Sequence, residues 1–408
     1  MINIWILNHY AITPDMPGGT RHYDFGKELI KKGYGVTIFA SSFNHQEHKE
    51  LKLTRKEKYK IENYNGVNFV WIKTFPYQKN NWQRVLNMIS YSWRVCLIGK
   101  KITKIDGNIR KPDIIIGSTV HLLSALSAYQ LAKYYKVKFI MEIRDLWPQS
   151  LIDIGKLKKI SPVAIVMRFL ERYLYHRSQA IIILSPTTES YLTSLGINRE
   201  NIYLIPNGVD VSKYIITKQD INKREEFKVM YAGSIGIVNA LNPVLQAMKI
   251  IQNNNLKNIK FIFIGSGIEK NRLIKEYREL EINNIEFLNP VSKVDMPRIL
   301  SDVDACLLAE NKILYGSSNK LMDYMAASKP IIFSTFGDHN IVQDVNCGIS
   351  VSPQNPAQIA EAIIRLYNIS AEERQKIGKN GREYIERYRA IPVLADKLEK
   401  VIQAATRV

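Results

Sequence analysis

Short apolar runs alternate with amphipathic stretches along almost the whole chain. Ile2 to Leu7 is apolar, a loop with Pro14, Pro17, Gly18 and Gly19 follows, and a helical pattern then runs to about Lys32. Gly33-Tyr34-Gly35 stops that helix, and Val36 to Ala40 is apolar again. This strand, Gly-rich loop, helix, strand order opens a parallel α/β sheet. The alternation continues with strands at Val67 to Lys73, Asp113 to Gly117, Val137 to Ile143, Ala180 to Leu184 and Ile202 to Ile205. Helical periodicity fills Asn81 to Ile105, Leu122 to Tyr135 and Ser161 to His176. The polar, basic stretch from His45 to Lys60 reads as a solvated loop.

Pro206-Asn207-Gly208 and the charged stretch to Glu226 break the pattern and read as a linker. A second alternation then starts, with strands at Phe227 to Tyr231, Ile259 to Ile264, Ile285 to Leu288 and Ala305 to Leu308. The first of these runs into Gly233-Ser234, the next into Gly265-Ser266-Gly267. A helix from about Ser318 to Lys329-Pro330 and a strand, Ile331 to Phe333, follow. The tail from Glu372 is helical, interrupted near Pro392. The expected organisation is therefore 1–206, 207–388, and a C-terminal helix 389–408 that packs back on the first domain.

Lys320 is the oddity in this pattern. A lysine in the first turn of a helix opposes the helix dipole. It becomes favourable if an anion sits there, held by the exposed amides and the ammonium. Asn319 and Asp323 project near the same edge, so a phosphate at Lys320 would place sugar hydroxyls near Asp323. The alternative is a solvated lysine and a surface aspartate. Gly233, Ser234, Gly265 and Gly267 fall at the same sheet edge as Lys320, and that convergence favours a phosphate-bearing ligand.

In the first half, ligands of an open α/β sheet collect at the carboxyl ends of strands. His121, Arg144 and Asp145 stand there as candidates for chemistry, although Arg144 and Asp145 also suit an ion pair bracing the loop. Gly18-Gly19 suits close backbone approach to a ligand, or only a turn. Asp302-Val303-Asp304 has the form of a metal-binding D-x-D, but it directly precedes a buried strand and reads as structural.

Charge sharpens one point. The 408 residues carry a net charge of +19, and Met1 to Ile205 holds 30 Lys and Arg against 15 Asp and Glu. A basic first half implies an anionic surface or partner. The Asn81 to Ile105 helix carries Trp82, Val85, Leu86, Ile89, Trp93 and Leu97 on one side, with Arg84 and Arg94 elsewhere. That composition suits a membrane interface, or else a helix packed on the sheet. No run of about 18 apolar residues occurs. The N-terminus reads as a first strand rather than a signal peptide. The three cysteines, Cys96, Cys306 and Cys347, are scattered and fit a reducing compartment.

The motifs P-G-G-T-R-H-Y (17 to 23), E-I-R-D-L-W-P (142 to 148), I-P-N-G-V-D (205 to 210), Y-A-G-S-I-G (231 to 236), F-I-G-S-G (263 to 267) and Y-G-S-S-N-K-L-M-D-Y-M-A-A-S-K-P-I-I (315 to 332) resemble the family-4 retaining glycosyltransferases. The closest likeness is to a subgroup that builds bacterial O-antigen and capsule. The resemblance implies the GT-B plan, two Rossmann-like domains facing across a cleft. It implies transfer of a sugar of N-acetylated hexosamine type from a UDP-sugar to a hydroxyl of a polyprenyl-diphosphate-linked saccharide. Configuration would be retained, and neither metal nor cofactor would be needed beyond the nucleotide-sugar co-substrate. By position, Asp323 would hold the ribose, Lys320 and the amides near Leu321 the diphosphate, and Gly233-Ser234 the phosphate loop. Gly19 would close on the donor, and Arg144-Asp145 would line the reaction centre. Tyr315 stands where the family's first acidic residue is expected, and Ile237-Val238-Asn239 stands where a cation is expected. The implied location is cytoplasmic, peripheral on the inner face of the plasma membrane. A nucleotide-sugar 2-epimerase on a similar plan is the alternative enzyme. A basic nucleic-acid-binding protein is the alternative of another class, and no nucleic-acid partner is expected.

Overall fold

The computed structural model describes residues 1–16, 18–79, 81–153, 155–215, 226–309, 318–335 and 340–407. Two compact units emerge, each built on its own sheet.

In the first unit the elements are β1 (Asn3–Leu7), α1 (Arg21–Lys31), β2 (Gly35–Ser41), β3 (Phe43–Asn44), β4 (Lys49–Glu50), β5 (Tyr59–Tyr64), β6 (Val67–Ile72), α2 (Trp82–Gly99), α3 (Ile102–Ile105), β7 (Ile114–Ser118), α4 (Leu122–Tyr135), β8 (Lys138–Ile143), α5 (Gln149–Asp153), α6 (Pro162–Arg177), β9 (Ala180–Ile183), α7 (Thr187–Ser194) and β10 (Ile202–Leu204). Their eight-stranded sheet has the order β10-β9-β8-β7-β1-β2-β6-β5. All pairs are parallel except β5 with β6. Strand order reverses between β1 and β7, and loops at such a switch point leave a crevice beyond the strand ends. Apolar clusters fill both faces of the sheet, because parallel strands are buried on both sides.

The stretch read as a solvated loop, His45 to Lys60, is more ordered than its polarity suggested. It carries β4, which pairs with β3 just before the stretch, and the start of β5. The Asn65-Gly66 pair, with φ of +50° and +88°, turns β5 back onto β6. Two central residues at positive φ make the tight hairpin turn whose twist matches its strands, and Asn-Gly is its usual sequence.

The second unit contains β11 (Phe227–Ala232), α8 (Asn242–Asn253), β12 (Ile259–Ile264), α9 (Lys270–Glu279), β13 (Ile285–Leu288), α10 (Met296–Ser301), β14 (Ala305–Ala309), α11 (Asn319–Ala326), β15 (Ile331–Ser334), α12 (Ile341–Asp344), β16 (Gly348–Val351), α13 (Pro356–Asn368) and α14 (Ala371–Tyr388). Its six-stranded parallel sheet has the order β13-β12-β11-β14-β15-β16. This is the doubly wound order, reversing between β11 and β14. A final helix, α15 (Ile391–Arg407), belongs to the first unit. Its Leu394, Leu398, Val401 and Ile402 join the core beneath α1, and Lys32 pairs with Asp396 and Glu399. The Pro392 interruption is real but early: Pro392 lies in the first turn of α15, where its missing N–H costs nothing.

Candidate functional site

Both switch points carry a concentration of polar side chains. In the second unit, β11 runs out into Gly233 and β12 into Gly265. A Cβ on Gly265 would lie 1.9 Å from the Gly233 carbonyl oxygen, and one on Gly267 would lie 2.1 Å from that of Ile235. The two strand-end loops therefore pack backbone against backbone, and this packing is what those two glycines serve. Gly233 makes room for something else. Its Cβ would lie 2.2 Å from Lys320 Cε, so the lysine stem crosses directly over the glycine.

Lys320 reaches this place from the first turn of α11. Ser318 occupies the N-cap position, but its hydroxyl makes no capping hydrogen bond. The Lys320 ammonium donates to Tyr231 OH at 2.7 Å and to Asn239 Oδ1 at 3.2 Å, and lies 4.6 Å from the Tyr231 ring centre. Asn319 is exposed beside it, while the Leu321 side chain is buried in the core, leaving only its backbone for a ligand. One turn deeper, the Asp323 carboxylate accepts from Tyr214 OH at 2.7 Å. Burial pushes that carboxyl above its ordinary range, with Lys293 and Tyr214 opposing. Tyr214, from the stretch read as linker, is buried and held by Arg382, which donates to its carbonyl. Nothing in the linker composition marked it. Tyr315, Gly316 and Ser317, and linker residues 216–225, lie outside the described residues.

Asp302-Val303-Asp304 sits at the opposite, amino end of the sheet. Asp304 accepts from the Lys228 amide at 2.8 Å and Asp302 pairs with the Lys228 ammonium at 3.2 Å, as expected of a structural pair. Among the described residues no group of three or more His, Cys, Asp or Glu side chains is placed to hold a metal ion.

In the first unit, the switch point joins His9, just past β1, to His121, just past β7. His121 Nδ1 accepts from the Ser124 amide, capping α4 at 3.2 Å. That fixes the proton on Nε2, which donates to His9 Nδ1 at 2.7 Å. Both rings are buried and held neutral. Burial lowers His9 well below the usual histidine range, helped by the charges of His121, His45 and Arg84. Burial and Arg84 bring His121 to about 3. His9 is stacked between Tyr10 and Tyr91, and Tyr10 in turn stacks on His45, giving a four-ring ladder. His121, expected among the residues of the reaction edge, thus stands at the strand end with both ring nitrogens engaged and 2% exposure.

A second buried cluster was missed, although its Arg21, His22 and Glu142 stand inside the quoted motifs. Glu142 accepts from Arg21 Nε at 2.8 Å, His22 Nε2 at 2.7 Å and Ser118 Oγ at 2.8 Å. Arg21 also donates to the carbonyls of Pro206 and Ile205. Burial works against the Glu142 anion, but His22 and Arg21 outweigh it and hold its pKa well below normal. A charge that deep needs such pairing.

Above this floor stand Arg144 and Asp145. The Arg144 amide bonds to Thr119 Oγ1, and that hydroxyl in turn lies 3.4 Å from the Asp145 carbonyl. No Arg144–Asp145 salt bridge forms among the described residues, so the bracing-pair alternative is not what the loop uses. Asp145 reaches solvent, yet the crowded floor raises its carboxyl above the ordinary range, against the fields of Arg144 and Arg84. Gly18 and Gly19 line a cavity of about 70 Å³ with His9, Tyr10 and His45. Gly18 has φ +128°, and a Cβ there would meet Ile12 Cδ1 at 2.8 Å. Pro17 lies outside the described residues.

The α2 apolar stripe faces outward. Trp82 and Trp93 are 64% and 63% exposed, with Val85, Leu86, Ile89 and Leu97 beside them. Val163, Val166 and Phe169 of α6 are likewise exposed. Arg84 turns to the polar edge, its Nε 3.4 Å from Tyr10 OH, and Arg94 is bound to the Lys73 carbonyl at 2.7 Å. No described helix is long and apolar enough to cross a membrane.

Comparison with known proteins gives a consistent picture. The family Glycosyltransferase Family 4 matches residues 18–213, and the family Glycosyl transferases group 1 matches residues 214–384. A probable glycosyltransferase of Pseudomonas aeruginosa, WbjE, is 21% identical over 330 residues, covering 76% of this chain and 81% of the relative. Among solved structures, sucrose-phosphate synthase from Thermosynechococcus elongatus superposes with TM-score 0.74 at 17% identity, covering 99% of this chain and 98% of the other. HepE from Anabaena, solved in complex with UDP and glucose, gives TM-score 0.67 at 12% identity over 99% of this chain and 100% of that one.

Proposed function

Because the chain belongs to the family-4-like GT-B glycosyltransferases, we propose that it moves a sugar from a UDP-sugar to a hydroxyl of a lipid-linked saccharide during surface polysaccharide assembly. The observation that carries the donor half is Lys320. Its ammonium is poised over Gly233 at a strand-end loop, in the first turn of a helix whose N-cap side chain makes no capping hydrogen bond. Oriented amides and a fixed cation stabilise a leaving diphosphate without reorganising during the reaction. Asp323, one turn deeper, is available to ribose hydroxyls. A relative of the same fold, HepE, is known with UDP bound, and this supports uridine as the base.

In the reaction, the bond from the sugar anomeric carbon to the diphosphate oxygen breaks and a bond to the acceptor oxygen forms. The acceptor proton passes to the leaving diphosphate, so no protein base is required; retention of configuration is what the family resemblance implies. No metal takes part in this scheme. Arg144 and Asp145 line the reaction centre, resting on the buried Glu142 cluster. The sugar is of the N-acetylated hexosamine type, in keeping with the subgroup that the sequence resembles. The exposed apolar stripes of α2 and α6, on a basic half-chain, support peripheral attachment to an anionic membrane face inside the cell.

Thermal-shift screening against UDP-, GDP- and dTDP-sugars tests the donor site, with Lys320→Ala and Asp323→Ala as controls. UDP compounds stabilise the wild type and not the variants if the site is right. Equal stabilisation of all three proteins would remove it. Release of epimerised sugar nucleotide without acceptor would point to the epimerase instead.

A further inference from the structure

We propose that Tyr214 is a positioning residue for Asp323, its hydroxyl holding one carboxylate oxygen so that the carboxylate meets the ribose hydroxyls of the donor nucleotide in one fixed plane. Tyr214 can do this only if Asp323 meets ribose at all, as proposed above.

Tyr214 belongs to the opening stretch of the second unit, and both its backbone and its ring are held. Asp210 accepts from the Ser212 amide at 3.3 Å and starts a short turn over Val211–Lys213. The Tyr214 amide closes that turn on the Val211 carbonyl at 3.1 Å. Arg382 of α14 donates to the Val211 and Tyr214 carbonyls at 3.3 Å and 3.0 Å. The ring enters the apolar cluster of Leu321, Met322 and Met325, on the buried side of α11, and Tyr214 is 5% exposed. The hydroxyl is thereby delivered to Asp323 Oδ1 at 2.7 Å. Apolar packing asks only for a phenyl ring here; the hydroxyl answers to the carboxylate.

The chemistry favours a setting role. An ionised carboxylate can accept about four hydrogen bonds. One bond from Tyr214 therefore fixes its plane and leaves capacity for both hydroxyls of a ribose. It also offsets part of the cost of burying the anion. Burial pushes the Asp323 carboxyl up, while Lys293, Tyr214 and Lys213 pull it down. Tyr324 of the same helix also feels the Asp323 charge, and Arg382, from α14, pairs with Glu386. Burial and the Asp323 charge push the Tyr214 phenol above its ordinary range, so it stays an O–H donor.

Calorimetric titration with UDP and with its 2′,3′-dideoxy analogue tests this, because the analogue offers Asp323 no ribose hydroxyl. Tyr214→Phe keeps the ring in the core. It should weaken UDP by about fivefold, the scale of one hydrogen bond, and the analogue by less than about twofold. Losing the O–H also removes support from the anion. The loss of UDP affinity on acidification should therefore set in at higher pH in Tyr214→Phe than in wild type. The diphosphate of the ligand titrates alike in both proteins and drops out of the comparison. An equal loss for both nucleotides overturns the role of Tyr214, as does an unchanged pH profile. A wild type that binds UDP and the analogue equally overturns the ribose reading itself.

Discussion

Replacing Gly233 by alanine places one methyl group into the donor edge. That methyl would stand 2.2 Å from Lys320 Cε, where ordinary contact begins at 3.4 Å, so the lysine stem must shift by about 1.2 Å. Gly233 also has φ +144°, a conformation that costs a non-glycine residue roughly 1–3 kcal/mol. The obstructed atom is near the end of a flexible side chain, so the fold survives while the ammonium leaves Tyr231 and Asn239. Losing a hydrogen bond between a charged group and the diphosphate costs about 1.5–3 kcal/mol, which is roughly a 10- to 150-fold rise in Kd. Calorimetric titration with UDP measures this, and Gly236→Ala is the control. Gly236 has φ −126°, extended backbone that any residue adopts. The nearest atom to its Cβ is Ser234 Oγ at 3.6 Å. A Gly233→Ala protein that binds UDP within twofold of wild type would refute the reasoning, as would an equal loss in Gly236→Ala.

Further outcomes follow from the first unit. Glu142→Gln leaves Arg21 buried without its anion and should cost about 3–5 kcal/mol of stability by urea unfolding; a loss below 1 kcal/mol would mean that the cluster is not structural. The folded-state pKa of His121 is depressed to about 3, so its contribution is present above the unfolded value of about 6.5 and is lost as pH falls below it. Between pH 6.5 and 5 that is at most about 2 kcal/mol. His121→Asn, which still caps α4 but does not titrate, should show a shallower acid slope; an identical slope would exclude the assignment. Trp82→Ser with Trp93→Ser should reduce sedimentation with anionic vesicles, and unchanged binding would sink the membrane assignment.

The alternating apolar runs carried both sheets, since parallel strands buried on two faces have a strong and simple signature. Lys320 was legible because it stands against the dipole of its own helix. What stayed hidden was pairing across sequence distance. His9 and His121 are 112 residues apart, and no local pattern announces that strand order reverses between them. Tyr231 looked like a core aromatic and Asn239 like a missing cation, because the bond each donates to the Ser234 carbonyl exists only once the loop has closed. Gly265 and Gly267 were read as ligand glycines, but loop-on-loop packing demands them first. The β5 hairpin was passed over even though Asn65-Gly66 is a strong turn signal, because the basic stretch before it reads as solvated.

The most direct measurement is a crystal structure of the protein with UDP. The account predicts the β-phosphate against Lys320 Nζ and the Gly233-Ser234 loop, with ribose hydroxyls on Asp323. UDP bound elsewhere, or bound at this edge with Lys320 turned away from its phosphates, would contradict it.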